Sequence, residues 1–75
     1  MTSESEFLCF VAAILGVEPR ILSLDTAYES LPEWDSVMHL RLVMEIGDRY
    51  AVDIPIDQVA AIRTLADFYR FVNTP

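Results

Sequence analysis

The 75-residue sequence is short of positive charge: five Arg, no Lys and one His stand against twelve Asp and Glu, giving a net charge of −7. That balance argues against a nucleic-acid partner, which needs a basic footprint to exchange for phosphate counterions. Two readings of the acidity remain, solubility and steering toward basic protein surfaces. The exclusive use of Arg as the base suggests a GC-rich bacterial genome.

Cysteine and histidine are equally scarce. The single Cys9 permits neither an internal disulfide nor a CxxC pair. Flanked by Leu8 and Phe10 on a predicted helix, it reads as a small core hydrophobe. A lone His39 with no Cys or His neighbour builds no metal site. The sequence also offers no nucleophile–base pair and no paired carboxylates in a recognisable cleft, so an autonomous enzyme finds no support. No apolar run approaches the roughly 20 residues that cross a bilayer. The start, Met-Thr-Ser-Glu-Ser-Glu, lacks the basic flank of a signal peptide. The expectation is a soluble, cytoplasmic chain with no membrane partner, forming a single domain over residues 1–75.

What the sequence does contain is helical patterning, carried by a hydrophobic fraction of 53%. Ser3 and Glu6 have the spacing of a capping box, and Phe7, Phe10, Val11 and Ile14 recur at helical intervals. Gly16 and Pro19 then stop the chain, which predicts a helix over 4–15. Residues 16–35 form a long connection whose Ile21, Leu22, Leu24, Tyr28 and Leu31 predict that it packs on the core rather than looping free. This connection carries Asp25, Glu29, Glu33 and Asp35 with no base after Arg20. A second helix is predicted from Ser36 to Tyr50, one or two short turns over Ile56–Ala61, and a last helix begun by Thr64 with Asp67 three residues on. The fold class is all-α: a small bundle of three main helices plus one short helix.

The second helix carries more apolar surface than one core face needs. At about 100° per residue, Leu42, Val43, Ile46 and Tyr50 form the natural core side. His39 falls on that side too, as a neutral, satisfied, partly buried ring. Val37, Leu40 and Met44 extend the apolar arc along an adjacent strip. Either the long connection or the short third helix covers this strip, or it is an exposed ridge on which a partner docks. Arg41, Glu45, Asp48 and Arg49 occupy the remaining side with balanced charge.

The stretch Glu33-Trp34-Asp35-Ser36-Val37, followed by Leu40, Leu42-Val43-Met44, Ile46, Tyr50 and Asp53-Ile54-Pro55, closely resembles the acyl carrier protein family. Ile14-Leu15-Gly16-Val17-Glu18-Pro19 is similar to that family's first-helix exit, so the resemblance covers nearly the whole chain. It implies that Ser36 carries a covalent 4'-phosphopantetheine arm, with Asp35 in support. The implied partners are a phosphopantetheinyl transferase, an acyl- or aminoacyl-loading ligase or transferase, and downstream synthase or tailoring enzymes. Val37, Leu40, Arg41, Met44 and Asp48 would be the partner-binding residues of a monomeric, non-catalytic carrier. A hydroxyl at a helix N-terminus is a favourable place for a phosphate, since free N–H groups and the helix dipole point at it. Taken alone, Ser36 or Asp35 would equally serve as a plain N-cap.

Two departures mark the kind of carrier. Fatty-acid-synthesis carriers usually have a small residue near the position of Trp34 and several acids along the second helix, where this chain has Arg41 and Gly47. The resemblance therefore implies a dedicated carrier of polyketide, non-ribosomal peptide or related secondary metabolism. The Gly-Gly-x-Ser core of peptidyl carriers is absent, and aminoacyl cargo stays open. The alternatives are a housekeeping fatty-acid-synthesis carrier, or an unmodified helical interaction module that grips partners with Val37, Leu40 and Met44.

Overall fold

A computed structural model describes residues 3–73. Four α-helices follow one another: α1 (Glu4–Leu15), α2 (Ser36–Tyr50), α3 (Ile56–Val59) and α4 (Leu65–Val72), with a 3₁₀ turn at Pro19–Ile21 in the first connection. The class is all-α, as the patterning predicts. The ends sit where the capping residues put them. The Ser3 hydroxyl accepts the Glu6 amide at 3.1 Å. Gly16 closes α1 in the left-handed region, φ 75°, where its amide and that of Val17 reach the Ala12 carbonyl.

The core is one cluster made of one stripe from each main helix and two anchors from the first connection. Phe7, Val11, Ala12 and Leu15 come from α1, Leu42 and Ile46 from α2, and Leu65 and Phe68 from α4; Ile62 joins them from the approach to α4. Phe10 and Ile14 sit half-buried at the edge of the α1 stripe. Cys9 is exposed, contrary to the core role expected of it. Its flanking residues were a poor guide: position 9 lies about 200° around the helix from both Phe7 and Val11, so it faces away from the stripe they define.

The long connection does pack. Leu22 and Trp34 are buried, and Leu24, Tyr28 and Leu31 lie against the core. Ile21 is the exception and stands exposed at the end of the 3₁₀ turn. Hydrogen bonds fasten the same segment to the head of α4: Tyr28 donates to the Arg63 carbonyl at 2.7 Å, Leu65 to Thr26 at 3.1 Å and Ala66 to Leu24 at 2.9 Å. A 20-residue connection whose regular structure is little more than the Pro19–Ile21 turn is thereby held in place, because its backbone groups pair with those at the head of α4.

At the far end of α2, Tyr50 packs edge-on to Phe10 (centroids 5.7 Å) and tilted against Phe7 (6.3 Å). Burial pushes its phenol above the usual tyrosine range, partly opposed by the Arg49 guanidinium beside it. Gly47 has a steric reason for its place in α2: a Cβ there would stand 3.2 Å from the Val52 carbonyl oxygen as the chain turns back over the helix. The short α3 is a single turn, and of its four residues Val59 is the one that faces the core.

Candidate functional site

The head of α2 is the place to look for chemistry. Asp35 is the N-cap and Ser36 the first helical residue. The Asp35 carboxylate accepts the Met38 amide at 2.9 Å, and its carbonyl accepts the His39 amide at 2.8 Å. Among the described residues, the amides of Ser36 and Val37 have no acceptor. Ser36 itself is exposed, so its hydroxyl and two free N–H groups lie at one solvent-facing point. A phosphate diester on that oxygen would meet donors and the positive end of a 15-residue helix. The residues present thus fit a covalently attached phosphate group. Asp35, also exposed, stands beside it as the carboxylate nearest in sequence.

Below this point the two sides of α2 separate cleanly. His39, Leu42 and Ile46 are buried. Val37, Leu40 and Met44 are 71%, 54% and 69% exposed, so neither the first connection nor α3 covers the strip. Ile56, the first residue of α3, is another bare aliphatic at 85% exposure, one that the sequence reading did not single out. Among the partner-binding candidates, Arg41 is exposed and pairs with Glu45 one turn on at 3.5 Å, and Asp48 is exposed. The Arg41–Glu45 pair is open to water on both sides and contributes little to stability. It leaves the charge on this helix locally balanced.

What holds the site from beneath is a side chain that the sequence marks as part of the resembling stretch and as a departure from the usual small residue, with no core role expected of it. Trp34 is fully buried, the largest side chain in the core. Its indole N–H donates to Nδ1 of His39 at 3.1 Å. An indole nitrogen can only donate and a carbonyl oxygen can only accept, so Nδ1 is the acceptor. The ring proton therefore sits on Nε2, which donates to the Val59 carbonyl at 3.0 Å. Tyr28 (centroids 4.8 Å) and Phe68 (5.6 Å) pack against the same imidazole. His39 is the neutral, satisfied ring expected, though its neighbours are Trp34, Tyr28 and Phe68 rather than Tyr50.

A sequence signal for this pairing exists. Trp34 precedes the N-cap and His39 is the fourth helical residue, the two positions that a hydrophobic staple joins. The staple is hidden because its first member lies in an acidic, proline-marked run and its second is a histidine.

Comparison with known proteins gives this geometry its context. The family model described as "Phosphopantetheine attachment site" matches residues 5–72. The chain is similar to the "Acyl carrier protein" of Rhodococcus erythropolis, 24% identical over 63 residues, which cover 84% of this chain and 69% of that one. It is likewise 28% identical to the "Acyl carrier protein" of Exiguobacterium sibiricum over 85% of this chain and 81% of the relative. For that of Rickettsia massiliae the figures are 27%, 93% and 81%. With nearly its full length matched, a four-helix fold and an open helix head of this kind, the chain belongs to the acyl carrier protein family, whose cofactor is 4'-phosphopantetheine.

Proposed function

We propose that this protein is a monomeric carrier, a single domain that holds acyl or aminoacyl intermediates as thioesters on a phosphopantetheine arm attached to Ser36. The observation that carries the reading is the exposed Ser36 hydroxyl at the first position of α2, next to amides with no acceptor, within the matched span. In the loading step a phosphopantetheinyl transferase joins the Ser36 oxygen to the phosphopantetheine half of coenzyme A. The pyrophosphate bond breaks, the nucleotide half leaves and the hydroxyl proton is released. Asp35 assists by helping to orient the magnesium-bound phosphate. The arm supplies the thiol that forms the thioester, while the chain supplies position and catalyses nothing itself.

Val37, Leu40 and Met44, bordered by Arg41 and Asp48, are the surface we assign to loading and downstream enzymes. Their exposure supports this, since three large aliphatics in a line on one helix are costly to leave in water without use. The cargo pathway we favour is specialised, of the polyketide or non-ribosomal peptide kind, in the cytoplasm. Support comes from α2, where Arg41 and Arg49 offset Glu45 and Asp48, leaving no acidic face for a partner that reads one.

The test is intact mass after incubation with coenzyme A, magnesium and a broad-specificity phosphopantetheinyl transferase. Wild type gains one arm and Ser36→Ala gains none. An unmodified wild type, or an arm still added to Ser36→Ala, would overturn the assignment and leave an interaction module in its place.

A further inference from the structure

Two segments meet at Ser36, and each is anchored by one member of the same hydrogen-bonded pair. Trp34 lies two residues before the serine, at the end of the long connection, and His39 lies three residues after it, in the first turn of α2. The stacked rings (centroids 5.9 Å, planes 21° apart) and the 3.1 Å bond between them close a loop of chain around Ser36. The Trp34 backbone is tied in turn: its amide donates to Leu31 at 3.1 Å and its carbonyl accepts Glu29 at 3.3 Å. The third member, the Val59 carbonyl, lies on α3, a four-residue turn too short to hold its own shape.

We propose that Trp34 and His39 are positioning residues for the arm-bearing serine: their hydrogen bond fixes the loop–helix junction on both sides of Ser36, and His39 carries the same constraint to α3 through Val59. The proposal rests on Ser36 being the attachment point. Packing alone does not explain the arrangement. A buried indole N–H, two ring nitrogens and a carbonyl are costly to leave unmade, and a purely apolar filling of the space would carry no such cost. What the polar chain adds is direction. Each bond sets an angle and a distance, where aliphatic packing would let the junction slide. Asp35 is held between the two anchors, which aims its carboxylate at the Met38 amide and leaves Ser36 facing out. A transferase binds only the fraction of carrier molecules whose junction is correctly formed. Loosening it raises the apparent dissociation constant in proportion while the bound complex reacts as before.

His39→Phe keeps an aromatic ring of similar size and removes both hydrogen bonds. His39→Gln restores one acceptor and one donor. Trp34→Phe removes the donor alone and serves the same comparison if His39→Phe does not fold. In phosphopantetheine loading of thermally folded samples, KM for the carrier is expected to rise roughly tenfold in His39→Phe, with kcat changed by less than about twofold. His39→Gln recovers most of that rise. Independently of any transferase, the Met38 amide exchanges with solvent roughly tenfold faster in His39→Phe than in wild type. The chain's one tryptophan and one histidine give a direct signature, since the indole N–H and imidazole nitrogen resonances are each single. Wild-type KM and wild-type Met38 exchange in a folded His39→Phe would overturn the proposal, as would equal impairment in His39→Phe and His39→Gln. Should wild type accept no arm at all, the reading of Ser36 fails, and the exchange measurement still decides whether the pair fixes the junction.

Discussion

Helices α2 and α4 each begin on a side-chain cap, yet the two heads are finished differently. At α4 the cap is reciprocal: the Thr64 hydroxyl faces the Asp67 amide, and the Asp67 carboxylate accepts the amides of Arg63 at 2.8 Å and Thr64 at 3.1 Å. Arg70, one turn on, pairs with the same carboxylate. At α2 only the Asp35 side chain caps, on Met38, and the amides of Ser36 and Val37 are left over. One head spends its donors on stability. The other keeps two of them, and a hydroxyl, facing water. The contrast shows where the fold tolerates an unfinished helix end: at the head of α2, beside the candidate serine Ser36.

The widest separation between the two heads is expected from exchanging their acids one at a time. Asp35→Ala should lower the rate of phosphopantetheine loading by at least about tenfold, while the loss of one exposed cap costs only about 0.5–1 kcal/mol of stability. Asp67→Ala should do the reverse. Removing two accepted amide bonds and the reciprocal cap costs about 1–2 kcal/mol, a fall in melting temperature of about 4–8 °C per kcal/mol, with loading unchanged. Melting curves and intact-mass time courses on the two variants decide it. Equal effects of both substitutions on loading would erase the distinction between the two helix heads.

A smaller effect follows from the charge state of the closed head. The Arg63 amide, then the Thr64 amide and Arg70, hold the Asp67 carboxyl below its ordinary value of 3.8, against the opposing effect of partial burial. Because the folded value is lowered, the contribution is present in full above the ordinary value and is lost as pH falls below 3.8 toward the folded one. The neutral variant Asp67→Asn has no such charge to lose. The stability gap between wild type and Asp67→Asn, measured by urea unfolding from pH 7 downward, should therefore hold steady to about pH 4 and then close. A gap that widens in acid would mean that the carboxylate is not the stabilising form.

How far these features were legible in the sequence depended on whether their causes were local. Ser3, Gly16, Thr64 and Asp67 act within four residues, and the helix ends fell where they indicate. The exposed strip was visible because Val37, Leu40 and Met44 follow the helical period on a face that Leu42 and Ile46 do not share. Ser36 and Asp35 stand out as candidates by resemblance rather than by their own chemistry, which a plain cap would share. Trp34 was missed as a core residue: its burial is created by Tyr28 and Phe68, which no short window contains. Gly47 looked like a missing acid until the Val52 carbonyl above it supplied the reason. Ile56 stands bare although Val59, three residues on, is buried, a difference that the period of a four-residue helix does not encode.

The tails of α1 and α2 offer a second comparison, between two ends closed alike by different residues, with the smallest expected effect. Both helices end in the left-handed region, α1 on Gly16 at φ 75° and α2 on Ala51 at φ 54°. In each the cap amide reaches back four residues, to Ala12 and to Gly47 respectively. Glycine adopts that conformation without a Cβ clash, whereas alanine there carries a cost of about 1–2 kcal/mol. Set against this is the greater freedom that glycine gives the unfolded chain, about 0.4–1 kcal/mol. The balance predicts that Ala51→Gly stabilises the protein by roughly 0.5 kcal/mol, read as a slightly higher urea midpoint with an unchanged slope. Arm loading at the opposite end of α2 should not respond. A lower midpoint would show that the Ala51 methyl gains more from its surroundings than the backbone loses by its sign of φ.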